Sequence, residues 1–335
     1  MVTEMMVLLA KVVFIFALCI GAVPFCVWFE RRGSAWMQGR LGPNRLGPFG
    51  LFQLVADMIK FFFKESFIPQ NSHKFLYLLA PAIALVPPMA AIASIPFCSE
   101  IHLVNLNVGV LLILAFTGLE IYPIILSGWA SNNKYSMLGA LRASSQLISY
   151  EISMSMALLS MLLVYGTFDL TEIIRYQQEH HWGVLLNPLA ALIFWVATYA
   201  ETNRLPFDLA EGDSEIVAGY HLEYGAMKFA IFFMSEYVAM IMVSAFLVTL
   251  FFGGYALLPG MSWVVSASGK AFLLPVFELF SFFLKVAFFM FLFVWVRWSL
   301  PRFRFDQLMH LGWNILFPLS LANLLLMGAV AYFLR

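Results

Sequence analysis

Charge is scarce in these 335 residues: 11% are Asp, Glu, Lys or Arg, against about 25% in a typical soluble domain. A soluble globule cannot cover its surface with so few charges, so an ordinary cytosolic enzyme is excluded. Cysteine is scarce too. Cys19, Cys26 and Cys98 are the only three; they lie in or beside apolar segments without C-x-x-C spacing, which excludes a disulfide framework and gives no sign of a zinc or iron–sulfur site. The six histidines (His73, His102, His180, His181, His221, His310) fall in connections or at segment ends, so a haem held between helices is not expected. No G-x-G-x-x-G follows a strand and no G-K-[ST] loop is present. The chain by itself is expected to bind no nucleotide or metal and to carry no redox centre. There is no internal repeat of the kind many transporters show, and no ten-residue alternation of a membrane barrel.

What is present is apolar length. Apolar residues make up 62% of the chain, and about 20 of them in helix cross a bilayer. Eight segments qualify, near 5–29, 74–98, 107–129, 137–165, 184–203, 223–251, 272–299 and 310–334. The expected fold is an all-α polytopic membrane protein in one domain, 1–335, with cytoplasmic loops at 30–73, 130–136, 204–222 and 300–309. The first segment begins with an acid (Glu4) and outruns a signal-peptide core, so it reads as a retained helix. Net charge is zero, 19 basic against 19 acidic residues, but placement is lopsided. The odd-numbered connections hold Arg31, Arg32, Arg40, Arg45, Lys60, Lys64, Lys74, Lys134, Arg142, Arg204, Lys228, Arg297, Arg302 and Arg304; the even ones and the C-terminus hold Arg175, Lys270 and Arg335. Basic loops stay cytoplasmic, so both termini should face outward. Within the first loop, residues 49–65 set Phe52, Val55, Ile59 and Phe62 at helical spacing among Asp57, Lys60 and Lys64, the pattern of an amphipathic helix lying in the inner interface. On the outer side, 169–183 reads as a short surface helix.

The charges inside the spans carry the functional signal. Glu120, Glu151, Glu236 and Lys285 each cost about 2.5–3.5 kcal/mol at mid-bilayer, roughly 10–14 together. Such groups are expected to face one another or a wet interior. Opposed desolvation and charge effects there poise carboxylates for proton exchange. A static ion pair between helices is the plainer alternative. Ser144, Glu151 and Ser155 share one helix face. The fifth connection crowds Glu201, Asp208, Glu211, Asp213, Glu215 and Glu223 around Arg204. If it is helical after Pro206, Asp208, Glu211 and Glu215 share a face. A solvated acidic loop is the alternative, but Leu205, Phe207, Leu209, Ile216 and Val217 are interleaved where such a loop would carry lysine and serine.

Three strings, ERRGSAWMQGRLGPNRLGPFGLFQLVADMIKFFFKE (30–65), AETNRLPFDLAEGDSEIVAGYHLEYGAMKFAIFFMSEY (200–237) and RWSLPRFRFDQLMHLGW (297–313), closely resemble the H subunit, or subunit 1, of respiratory complex I, the proton-translocating NADH:quinone oxidoreductase. The resemblance runs over essentially the whole chain. It implies a bacterial inner-membrane subunit with periplasmic termini that forms most of a quinone chamber, quinone being the substrate. The implied chamber residues are Glu30, Arg31, Arg40, Asp57, Arg204, Phe207, Asp208, Glu211, Asp213, Glu215 and Arg297, with a portal between the first span, the sixth span and residues 49–65. The implied proton route uses Glu201, Glu223, Glu151, Glu120 and Glu236, with Lys285 matching a family lysine. FMN and iron–sulfur clusters belong to partner subunits: peripheral-arm quinone-site and iron–sulfur subunits, with pump subunits along the membrane arm. Membrane lipid is a further partner and nucleic acid is not. Two positions depart from the family pattern: Asp213 stands where glutamate is usual, one methylene shorter in reach, and Asn314 where a basic residue is frequent. A membrane subunit of a quinone-free energy-converting hydrogenase is the nearest rival, disfavoured by the intact glycine- and proline-rich first loop and acidic fifth loop. A stand-alone ion transporter would not need so elaborate a docking face, and a passive scaffold would leave the central glutamates unexplained.

Overall fold

The structure, a computed structural model, describes residues 2–100, 106–210, 212, 216–259 and 273–334, with the side chains of 2–4, 7, 8, 15 and 334 outside the description. Among the described residues the regular structure is entirely helical. In chain order the helices are α1 (Val2–Met37), α2 (Gln53–Phe63), α3 (Lys74–Ile92), α4 (Gly109–Leu119), α5 (Ile121–Ala130), α6 (Lys134–Tyr165), α7 (Leu170–Glu179), α8 (Gly183–Leu186), α9 (Pro188–Glu201), α10 (Ala226–Phe251), α11 (Leu274–Ser299), α12 (Phe305–His310) and α13 (Phe317–Leu334), α12 and α13 joined by a wide π turn at Leu311–Leu316.

Seven described helical stretches are long and apolar enough to cross a membrane, with α4 and α5 together making one and α12, the π turn and α13 another. The expected span at 184–203 is different. It is split at Asn187, whose side chain caps α9 by accepting from the Ala190 N–H at 3.0 Å, ahead of Pro188 at the first helical position. Proline lacks the N–H that would continue α8 into α9, which leaves 14 residues in the longer piece. A second break falls inside the third span. Pro123 supplies no N–H to the carbonyl one turn back, and the chain turns at Glu120, whose N–H reaches Thr117 O at 3.0 Å. The break puts a carboxylate where the helix ladder is already interrupted. Pro24 in α1 and Pro81, Pro87 and Pro88 in α3 leave their helices continuous, as neighbouring helices allow.

Helix α6 packs against α5, α9 and α13, α3 against α10 and α5, and α10 against α1 and α11. Small residues permit the tightest approaches: a Cβ on Gly139 would stand 2.7 Å from Gly219 Cα. The four basic connections meet at one end of the bundle. The His73 N–H donates to Ala130 O (3.0 Å), Asn133 Nδ2 to Glu223 Oε1 (2.6 Å), Lys228 Nζ to Phe67 O (3.1 Å) and Arg302 Nη2 to Asp208 Oδ2 (2.8 Å). At the other end, Gln177 on the expected short helix α7 ties Thr249 O and the Gly253 N–H.

Helix α2 shows how the amphipathic segment is held. None of its residues is buried, and Phe62 and Phe63 are 70% and 86% exposed, the presentation an interfacial helix needs. Its attachment is polar: Arg31 pairs with Asp57 at 2.5 Å, Gln53 donates to the same carboxylate at 2.9 Å, and Trp28 and Arg32 donate to Phe49 O at 3.1 and 2.8 Å. The approach turn requires Gly50 at φ +74°, where a Cβ would collide with Pro43 O.

Candidate functional site

Helix periodicity builds an apolar slot. Cys19, Ala22, Cys26 and Phe29 recur at three- and four-residue intervals on α1, and Phe282, Val286, Met290 and Phe293 do the same on α11; with Met240 and Ala245 of α10 they wall a cavity of about 360 Å³. Its lining is almost wholly apolar except where Glu30, Arg204 and Arg297 reach it. Glu30 and Arg204 are only 8% and 6% exposed, so neither is tolerable alone. They compensate one another. Arg297 Nη1 donates to Glu30 Oε1, the Tyr237 hydroxyl donates to Oε2 at 2.6 Å, and Arg204 Nη1 lies 3.4 Å from Oε2. Arg204 also reaches Glu236 through Nη2 at 3.8 Å, and its guanidinium stands 4.4 Å over the Tyr237 ring. Tyr220 in turn donates to Glu236 Oε1 at 3.3 Å. Two cations and two carboxylates, fixed by two tyrosines, make a locally neutral knot.

The knot separates two spaces. Beyond it lies a second cavity of about 430 Å³, sharing Glu30, Tyr237 and Arg297 with the slot and lined also by Arg31, Ser34, Arg40 and Trp298. On another side, a cavity of about 40 Å³ joins Glu236 and Tyr220 to Glu120, Glu201, Asn203 and Ser235. A smaller space of about 10 Å³ then joins Glu201 to Glu151 and Thr117. Glu201 therefore borders both. Glu120 Oε1 and Glu201 Oε2 are buried without a hydrogen-bond partner, costly for ionised carboxylates and suited to groups that share protons. Gly118 makes room for the third acid, since a Cβ there would stand 2.9 Å from Glu151 Oε1.

The residues singled out in the sequence divide accordingly. The structure brings Glu30, Arg31, Arg40, Arg204 and Arg297 to the slot and second cavity, and Glu120, Glu151, Glu201 and Glu236 to the smaller spaces. Asp57 is placed through its pair with Arg31. Asp208 is paired with Arg302, and Phe207 packs between Tyr150 and Phe303 with ring centroids at 5.3 and 5.4 Å. Glu223 accepts from Asn133, and its carbonyl accepts from the Tyr77 hydroxyl at 2.6 Å. Glu211, Asp213 and Glu215 lie outside the described residues, and with them the acidic face expected with Asp208. Lys285 stands apart from the glutamates. Its ammonium donates to Gly254 O and Ala256 O, in the connection after α10, at 2.9 and 2.7 Å and lies 5.5 Å from the ring of Trp182, the residue before α8. Among the described residues no carboxylate lies within ion-pairing distance of it.

Sequence reasoning missed several members. Tyr237 and Tyr220 were not singled out; adjacency to Glu236 was the available signal for Tyr237, and Tyr220, 16 residues from Glu236 in the chain, offered none. Gln146, fully buried in α6, gave no signal beyond being an amide in a span. Glu278, 7% exposed on α11, accepts from the Ser99 N–H and hydroxyl at 2.9 and 2.7 Å. It lies inside the expected span at 272–299 but was not singled out there. Among the described residues no cluster of side chains could hold a metal ion.

These features define a class: a polytopic membrane helix bundle whose apolar slot ends on a buried ion-pair knot adjoining a line of carboxylates. The particular family follows from comparison. The sequence model of the NADH dehydrogenase family matches residues 10–328. The chain is 44% identical to the H subunit of NADH-quinone oxidoreductase from Bdellovibrio bacteriovorus, over 96% of this chain and 95% of that protein. It is 46% identical to the corresponding H subunit from Salinibacter ruber, over 90% and 89%, and 46% identical to that from Rickettsia africae, over 97% and 94%. The chain belongs to the NADH dehydrogenase family, and the resemblance drawn from its three motif strings holds.

Proposed function

We propose that this chain is the membrane subunit of a bacterial NADH-quinone oxidoreductase that admits quinone and couples its reduction to proton translocation. The observation that carries the reading is the slot itself. A long apolar cavity ending on Glu30, Arg204 and Arg297 suits a molecule with an isoprenoid tail and a polar ring. The chain supplies no redox centre; electrons reach the quinone from FMN and iron–sulfur clusters of partner subunits docked on the basic end, and pump subunits continue the membrane arm. The basic end faces the cytoplasm of a bacterial inner membrane, with both termini periplasmic.

Reduction of quinone takes up two electrons and two protons to give the quinol. The negative charge that develops as electrons arrive attracts the Arg204 and Arg297 guanidiniums and loosens their hold on Glu30 and Glu236. Two unit charges about 4 Å apart at an effective dielectric of about 20 interact by about 4 kcal/mol, enough to switch a protonation state. Glu236 borders the same cavity as Glu120 and Glu201, and Glu201 the same space as Glu151, so a proton shift at the knot is felt along the line. Asp208, Glu211, Asp213 and Glu215 are assigned to the quinone chamber on the strength of the family resemblance. Lys285, bonded to carbonyls at the opposite end, is assigned to holding the 252–258 connection.

Glu151→Gln or Glu211→Gln in the assembled complex lowers quinone reductase activity and proton translocation together, by roughly tenfold or more. Both are measured in inverted membrane vesicles. Wild-type turnover and proton yield in both variants would remove the carboxylates from the mechanism.

A further inference from the structure

The segment that links the slot to the carboxylate line is a reverse turn, and one side chain closes its neck. Gln146, fully buried on α6, donates through Nε2 to Ala200 O at 2.7 Å and Phe207 O at 2.8 Å, with Asn203 Oδ1 at 3.3 Å. Three acceptors converge on one nitrogen, which fixes which way the amide points. Between the two bonded carbonyls the chain carries Glu201, which borders the two small cavities, and Arg204, which enters the slot and the knot. The turn's other fasteners are local: Thr202 N–H and hydroxyl to Thr198 O at 3.1 and 2.9 Å, Asn203 N–H to Ala200 O at 3.4 Å, Arg204 N–H to Tyr199 O at 3.2 Å and Phe207 N–H to Arg204 O at 2.8 Å, with Asn203 at φ +49°; none of these ties Ala200 to Phe207 as Gln146 does. No charged group of Gln146's own takes part, so its contribution is geometric.

We propose that Gln146 is a positioning residue that holds Glu201 and Arg204 in fixed register, so that a charge change at the slot is transmitted to the carboxylates. This rests on the quinone-coupled reading above. Losing the amide donors takes away the hydrogen bond to Phe207 O, leaves Ala200 O with the longer Asn203 N–H contact at 3.4 Å, and lets the turn open. Arg204 then meets the slot in a different place, and Glu201 leaves its shared border.

The test uses the intact complex. Gln146→Met keeps the side-chain length and apolar packing but removes both donors. Gln146→Glu, protonated in this buried setting, keeps one. Expected in Gln146→Met is a normal amount of assembled complex, an apparent KM for a short-chain quinone raised roughly five- to tenfold, and fewer protons translocated per quinone reduced. Gln146→Glu falls between this variant and the wild type. A side chain that only fills space would change neither the proton yield nor the order of the two variants. Wild-type KM and proton yield in assembled Gln146→Met overturn the proposal, as does Gln146→Glu behaving no better than Gln146→Met. If Gln146→Met fails to assemble, the graded behaviour of Gln146→Glu decides by the same two readouts. Glu151→Gln measured alongside separates the two claims: impaired Glu151→Gln with unaffected Gln146 variants sinks this proposal alone, whereas unaffected Glu151→Gln sinks the reading beneath it.

Discussion

Arg204→Met is expected to abolish quinone reduction and to lower the amount of assembled complex sharply. Arg204 is the one cation that touches both Glu30 and Glu236 among the described residues. Removing it leaves Glu30 to Arg297 and takes from Glu236 the guanidinium at 3.8 Å. Breaking one partner out of a buried ion pair costs about 3–5 kcal/mol, a large part of a typical domain's stability. The methionine also ends the stacking of the guanidinium on Tyr237. The companion change Glu236→Gln restores the balance of charge, so the double variant Arg204→Met/Glu236→Gln regains assembly while quinone reduction and pumping stay low. Native electrophoresis of solubilised membranes measures the first quantity and vesicle assays the second. Wild-type assembly and turnover in the single variant would show that the knot is decoration.

Ala22→Trp is expected to separate access from chemistry. Ala22 lines the slot one turn from both Cys19 and Cys26, and about 12 Å along the helix axis from Glu30, so the charge network is untouched. An indole in place of a methyl fills the passage between α1 and α11. Reduction of a long-chain quinone falls by roughly tenfold or more, while NADH oxidation by a water-soluble artificial acceptor, which bypasses the slot, stays at the wild-type rate. Ala22→Val gives a smaller loss in the same direction. Equal quinone turnover in all three proteins would mean that quinone enters elsewhere.

How much of this was legible in the sequence depends on which physical signal each feature has. Span length and loop charge depend only on local composition, which is why the helices and the meeting of the basic connections follow from it. The split at Asn187–Pro188 was also written in the sequence, but apolarity over 184–203 hid it, because hydropathy does not register a missing N–H. The insertion cost of Glu120, Glu151 and Glu236 indicated that they would have neighbours, and the structure sets them along adjoining spaces with Glu201. A buried ammonium needs partners, but its insertion cost does not say which; for Lys285 two carbonyls and an indole face serve. Tyr237 and Gln146 were illegible for another reason: their roles exist only once α1, α6, α10 and the 200–207 turn are assembled.

The most direct measurement is where a photoactivatable quinone analogue attaches within the intact complex. The account predicts covalent adducts on α1 between residues 18 and 30 and on α11 between 282 and 297, competed away by natural quinone and absent in Ala22→Trp. A complex that reduces the analogue yet carries no competed adduct on either stretch would contradict it.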